Sequence, residues 1–210
     1  MNRSQAAREI VNYSRMMYER GYVVATEGNI SFRLSENRVL ITPSALIKQF
    51  IKVSDLTEID LEGNKVRGFR KPTTERFTHL EIYKQNPDIA AIVHAHPFYT
   101  VMASAIGKNP FEKMFLAEAG MFLKDVKIAP YAKPSTREGA DAVRELCKET
   151  NILVLERHGS FTYGKDLSTA FSLLEIMEKV AKMSYFAELS GQKIAYLSDE
   201  EIGELKKIPY

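Results

Sequence analysis

The chain of 210 residues has no tryptophan, one cysteine and four histidines, and its acidic and basic side chains nearly cancel to a net charge of +2. A lone Cys147 excludes an intramolecular disulfide framework, and its place in "DAVRELCKE" reads as a helix position rather than a nucleophile. The balanced charge gives no electrostatic footprint for nucleic acid or a membrane surface, although small anionic ligands stay compatible with it. No window approaches the ~18 uninterrupted apolar residues of a spanning helix, and "MNRSQAAREIVNYSRMMYERG" lacks the apolar core of a signal peptide. A cytoplasmic protein that binds neither nucleic acid nor membrane is expected. Repeats, low-complexity tracts and Pro/Gly/Ser linkers are missing as well, so one domain over 1–210 is expected.

What is present suffices for a core, since 45% of the residues are hydrophobic. Apolar positions at helical spacing predict a helix over about 4–20, with Gly21 as its stop. "NISFRL", "RVLITPS" and "LTEIDLEGNKVRG" read as short strands broken by turns. From Thr74 onward helices alternate with strands: "TERFTHLEIYKQN", "YTVMASAIG", "STREGADAVRELCKE" and the long "DLSTAFSLLEIMEKVAKMSYFAELSG" as helices, "DIAAIVHAH", "VKIAPYA" and "NILVLERHGSFTY" as strands. Ser198 is a good N-cap for a last helix. The expected class is α/β, a single domain with a central mixed or largely antiparallel sheet flanked by helices.

The scarce histidines are not scattered. In "AAIVHAHPF" two of them stand two residues apart, and on a strand Ile92, His94 and His96 share one face, so both imidazoles point at the same neighbour. A third candidate is His158 in "ILVLERHGSF", where an apolar strand ends and the following glycine allows close backbone approach. Three neutral imidazoles suit Zn²⁺ and leave a coordination position open for chemistry. His79, within "TERFTHLEIY", is left outside the metal set; its helical setting favours a packing or surface role, with a place near the site left open.

Other short stretches carry small polar groups. In "KPTTERF", Thr73 and Thr74 precede a helix, where hydroxyls and unpaired N–H groups favour an anion, and the alternative is an ordinary helix start with Glu75 in its first turn. "TEGNISFR" and "ITPSAL" are simple turns or loops that could cradle a phosphate. No stretch matches a P-loop or dinucleotide fingerprint. No lysine is singled out by an apolar setting that would lower its pKa for Schiff-base chemistry.

Taken in order, GNIS, TPS, KPTTE, VHAHP and RHG resemble the class II sugar-phosphate aldolases of the fuculose-phosphate aldolase and ribulose-phosphate epimerase type, over nearly the whole chain. The resemblance implies a homotetramer with sites between subunits, a phosphorylated sugar as substrate and one Zn²⁺ or other divalent ion per subunit. It implies His94, His96 and His158 as metal ligands and Glu75 as the acid/base carboxylate. Asn29, Thr42, Ser44, Thr73 and Thr74 would form the phosphate cradle.

The sequence also departs from that family. Threonines replace serines at 73 and 74, and Ser44-Ala45 stands where Thr-Gly is common. Met114 occupies the place of a tyrosine that protonates the aldehyde, while Tyr210 lies near a second tyrosine of the tail and is expected to fold back over a catalytic site as the proton donor that partly compensates for Met114. The expected reaction is reversible aldol cleavage of a ketose 1-phosphate to dihydroxyacetone phosphate and an aldehyde. Its rivals are methylthioribulose-1-phosphate dehydration, in which Glu118 could act as second acid/base, epimerisation or decarboxylation on the same scaffold, and a non-enzymatic module like the adducin head.

Overall fold

The computed structural model describes residues 1–123 and 125–208, so Tyr210 lies outside the described residues. In chain order the elements are α1 (Arg3–Glu19), β1 (Asn29–Ser35), β2 (Arg38–Ile41), β3 (Thr57–Ile59), β4 (Lys65–Arg67), α2 (Arg76–Gln85), β5 (Ala91–Ala95), α3 (Phe98–Ala105), α4 (Ala117–Phe122), β6 (Lys127–Ala129), α5 (Arg137–Val143), β7 (Ile152–Leu155), β8 (Gly159–Gly164), α6 (Leu167–Leu189) and α7 (Asp199–Leu205). The strands form one sheet in the order β4-β3-β2-β1-β5-β8-β7-β6. Only β6 and β7 run parallel, so the sheet is mixed and largely antiparallel, as the pattern predicts.

Period-two alternation divides the core into two layers. On β5, Ala91, Val93 and Ala95 enter a cluster with Ala6, Ile10 and Met17 of α1 and Leu174 and Met177 of α6. Ile92 points to the opposite face, where it joins Leu80 and Ile82 of α2 and Val143 of α5. His94 follows Ile92 by two and so lies on the α2 face, fully buried.

Local signals explain most boundaries. Asn2 and Ser198 cap α1 and α7 with side-chain acceptors, and Ser198 pairs with Glu201 in a capping box. The first turn of α3 follows Pro97 and has no cap of its own. The buried carboxylate of Glu178 on α6 fills that role, accepting Tyr99 N at 2.8 Å, Thr100 N at 2.9 Å and Thr100 Oγ1 at 2.8 Å. In this way the longest helix anchors the chain just beyond His96.

Three details differ from the sequence expectation. "NILVLERHGSFTY" divides into two strands, β7 and β8, with Arg157 at φ 55° in the connecting turn that also carries His158. The helix in "STREGADAVRELCKE" stops at Val143, and Cys147 follows in a one-turn 3₁₀ segment, where burial pushes its thiol up to about 11. Between β2 and β3 the chain makes two further 3₁₀ turns, Lys48–Phe50 and Val53–Asp55. Among the described residues no helix is long and apolar enough to cross a membrane.

Candidate metal centre and active site

Sheet register delivers the parts of the site. Asn29 on β1 lies opposite His94 on β5, and His94 lies opposite Phe161 on β8, whose ring stacks on the imidazole at 4.1 Å. His96 follows the end of β5 by one residue, and its Nε2 lies 3.0 Å from His94 Nε2. The β7–β8 turn carries His158 to the same point. One ligand atom from each of His94, His96, His158 and Glu75 lies within 4.8 Å of all the others.

Two glycines make this approach possible. Gly28 has φ +69°, and a Cβ there would meet Val23 Cγ1 at 2.5 Å and His94 O at 3.0 Å. A Cβ at Gly159 would meet Ala95 O at 2.5 Å and His96 Cδ2 at 2.7 Å. The glycine after His158 is thus needed for close approach, as the sequence suggests.

Glu75 occupies the position just before α2, yet its side chain caps nothing. Its carboxylate turns inward instead, with Oε2 3.1 Å from His94 Nε2 and Oε1 3.2 Å from His158 Nε2. Burial alone would raise its pKa, but the charge and hydrogen bonds of His94 and His158 prevail and hold it well below the usual carboxylate range. Burial, helped by the neighbouring imidazoles, lowers His96 to about 3. The His94 Nδ1–H donates to Ser160 O at 2.9 Å, which frees Nε2 as a lone-pair donor.

This donor chemistry fits a divalent cation. Three imidazole nitrogens and an ionised carboxylate converge, a donor set that suits a divalent cation once His94 and His158 give up the protons they direct at Glu75. Carbonyl and carboxylate groups behind the imidazoles, Ser160 O for His94 and Glu27 Oε1 at 3.5 Å from His96 Nδ1, supply outer support of the kind metal-bound histidines use.

His79, set aside in the sequence, is fully buried and tied to the site. Its Nε2 lies 2.5 Å from Asn29 Oδ1, and its Nδ1 2.7 Å from Ser31 Oγ. Asn29 in turn donates Nδ2–H to Glu75 Oε2 at 2.8 Å. One consistent proton order runs through the chain: Ser31 O–H donates to His79 Nδ1, and His79 Nε2–H donates to Asn29 Oδ1, which leaves the Asn29 amide to donate to Glu75. Burial lowers the His79 pKa to about 3, so the ring stays neutral and this order holds. The signal available in the sequence was spacing: His79 follows Glu75 by four residues.

A cavity of about 260 Å³ opens beside Glu75 and His96, bordered by the loops around Thr26–Asn29, Pro43–Ala45 and Thr73–Thr74. Of the residues expected to cradle a phosphate, Asn29, Ser44, Thr73 and Thr74 border it. Thr42 is fully buried and its hydroxyl accepts Ile30 N at 3.1 Å. The loops are stitched together by Ser44 N to Lys71 O (3.1 Å), Thr73 N to Thr42 O (3.1 Å) and Ser44 Oγ to Pro72 O (3.0 Å). Ala45, where glycine is common in the resembled family, adopts φ 54°, so the loop keeps a left-handed shape without glycine.

Elsewhere, Glu118 stands exposed in the first turn of α4. Met114 is buried in the core, its carbonyl accepting Leu197 N at 2.8 Å. One lysine contradicts the sequence expectation: Lys48 is fully enclosed, and burial lowers it to about 8. Its apolar neighbours in "SALIKQFI" were the sign that was missed. A larger groove of about 490 Å³, between Tyr99 and Tyr185, brings together no set of metal-ligating side chains; the Lys108 and Glu188 on its rim are paired with each other.

With this geometry in view, likeness to known proteins is informative. A family model described as the class II aldolase and adducin N-terminal domain matches residues 8–185. A 3-oxo-tetronate 4-phosphate decarboxylase from Haemophilus influenzae is 35% identical over 204 residues, 94% of each chain. An L-fuculose phosphate aldolase from Methanococcus maripaludis is 37% identical over 177 residues, covering 84% of this chain and 94% of its own. The solved structure of an L-fuculose 1-phosphate aldolase superposes with a TM-score of 0.88 at 30% identity, covering 99% of this chain and 97% of the other. Matched from α1 through α6, with three histidines and a carboxylate converging beside a small polar cavity, the chain belongs to the class II aldolase and adducin N-terminal domain family.

Proposed function

We propose that this chain is an enzyme that reversibly cleaves a ketose 1-phosphate, of the L-fuculose 1-phosphate kind, into dihydroxyacetone phosphate and an aldehyde. The observation that carries the reading is the convergence of His94, His96, His158 and Glu75 on one edge of the cavity. His94, His96 and His158 would hold the divalent ion, proposed to be Zn²⁺ at one per subunit. When bound, that ion supplies Lewis-acid stabilisation of negative charge developing on the substrate oxygens.

The protein's own groups do the rest. Glu75, kept ionised, carries a proton to and from the reacting carbon. Asn29 and His79 fix the orientation of that carboxylate. The loops bearing Ser44, Thr73 and Thr74 hold the phosphate end, so that the scissile bond is placed against Glu75. A homotetramer with sites between subunits belongs to this proposal, and light scattering on the purified protein tests it.

A second reading has its own support. Cleaving an aldol requires proton transfer at the aldehyde oxygen, and the methionine at 114 is buried and cannot supply it. Loss of carbon dioxide from a 3-oxo sugar-acid phosphate leaves the same carbanionic charge and needs no such acid, and the likeness to the tetronate-phosphate decarboxylase extends over 94% of each chain. The test is a paired assay: ketose 1-phosphates with detection of dihydroxyacetone phosphate, and 3-oxo-tetronate 4-phosphate with detection of carbon dioxide. Turnover of the sugar acid alone would replace the aldolase by the decarboxylase. Glu75→Gln should lower whichever rate is found by about 10²- to 10⁴-fold, and a change confined to KM would remove Glu75 from proton transfer.

A further inference from the structure

The cavity beside Glu75 has no cationic side chain of its own. Its walls carry two carboxylates, Glu27 and Glu75, the His96 imidazole and otherwise small neutral groups; no lysine or arginine borders it among the described residues. A phosphate dianion entering such a space would meet negative charge first.

Apart from the divalent ion proposed at His94, His96 and His158 on one edge of the cavity, the nearest side-chain compensation lies behind the wall that the three loops form. Lys48 opens the one-turn helix after β2 and is only 1% exposed. Its Nζ donates to Thr26 O at 3.1 Å and to Leu46 O at 2.9 Å. Thr26 belongs to one cavity loop, and Leu46 directly follows Ala45 of another, so a single ammonium ties both loops by their carbonyls. Among the described residues no carboxylate pairs with it. A buried charge without an ionic partner costs stability, and its retention needs a reason. Its charge lies directly behind the cavity wall, since one carbonyl that it holds belongs to a bordering loop and the other to the residue next to Ala45. Because Nζ is engaged by two carbonyls and does not border the cavity, it is not placed to attack a substrate carbonyl.

We propose that Lys48 is a specificity-determining residue: its buried charge, held behind the two cavity loops, provides the positive potential that selects a phosphate-bearing substrate without touching it. The inference rests on the phosphate-binding reading of the cavity given above.

The experiment is calorimetric titration of inorganic phosphate into the purified, metal-loaded full chain, comparing the unsubstituted protein with Lys48→Met and Lys48→Gln. Methionine nearly preserves the volume and removes the charge; glutamine removes the charge but keeps an amide donor for the loop carbonyls. Both variants should bind phosphate about tenfold more weakly, with a shallower salt dependence. Metal content should not fall in either variant, and Lys48→Gln, which keeps a donor for the loop carbonyls that Lys48→Met leaves unpaired, separates loss of charge from loss of the tether. Wild-type affinity in both variants would overturn the inference. Loss in Lys48→Met with full retention in Lys48→Gln would also overturn it, because loop tethering and not charge would then be the cause. If the unsubstituted protein ignores phosphate while turning over an unphosphorylated sugar, the phosphate reading itself falls and takes this inference with it.

Discussion

The side-chain amide of Asn29 donates to Oε2 of Glu75 across 2.8 Å, joining the first strand to the residue that precedes α2. His79 fixes which end of that amide faces the carboxylate, because its own Nε2–H requires Asn29 Oδ1. Asn29→Asp is therefore expected to place two carboxylates in contact, raise the pKa of Glu75 and move the acid limb of the rate profile toward neutral pH. The check is the pH dependence of kcat/KM; an unshifted acid limb would mean that Asn29 does not orient Glu75.

Gly159→Ala should expel metal although no ligand is replaced. The added methyl would lie 2.5 Å from Ala95 O and 2.7 Å from His96 Cδ2, so the end of β5 or the β7–β8 turn must move. Overpacking of this kind costs about 1–3 kcal/mol, and here it displaces the His96 ring. Metal per chain, measured by plasma emission after gel filtration, is expected to drop as it does in His94→Ala, His96→Ala and His158→Ala; full occupancy would refute the proposed crowding.

Acid should destabilise the metal-free protein earlier than its carboxylates alone would dictate. His79 and His96 have folded-state values of about 3 against an ordinary 6.5, so between those limits the unfolded chain binds more protons than the folded one. Stability from these two groups is complete above about pH 6.5 and is lost as the pH falls toward 3, with a limiting slope of about 1.4 kcal/mol per pH unit for each. Urea unfolding in chelator at pH 7 and pH 5 measures it. His79→Gln should flatten the dependence, and an equal slope in that variant would exclude His79 as a source.

Ala45→Gly is expected to stabilise. Ala45 holds φ 54°, where a Cβ costs about 1 kcal/mol, more than the backbone freedom glycine adds to the unfolded chain. The net gain is a fraction of about 1 kcal/mol, so a thermal melt should rise by about 1–2 °C. A lower melting temperature would mean that the left-handed turn at 45 is not strained.

Much of the site could be seen in the residue pattern because its signals are local. Strand alternation alone puts His94 and His96 on one face, and the apolar run before Arg157-His158-Gly159 marks a chain reversal. Glu75 was identified only through a resemblance, since a carboxylate before a helix has a simpler use as a first-turn charge. Lys48 has a local cue in its apolar neighbours, but the polar partners of His79 and one of those of Lys48 are not visible from nearby sequence. Asn29 and Ser31 of β1 bind His79, and Thr26, in the loop before β1, reaches Lys48. No window along the chain contains those neighbours. The same holds for Thr42, whose hydroxyl is used by Ile30 of the adjacent strand.

Strand order has a temporal consequence. β8 occupies the slot between β5 and β7, although some sixty positions separate it from β5 along the chain, and His158 reaches His94 only after that slot is filled. Closing so long a loop is entropically unfavourable before the pairing repays it. The cluster of imidazoles is thus expected late in folding, and a nascent chain that has emerged only as far as His96 presents His94 and His96 with no third histidine to complete the set.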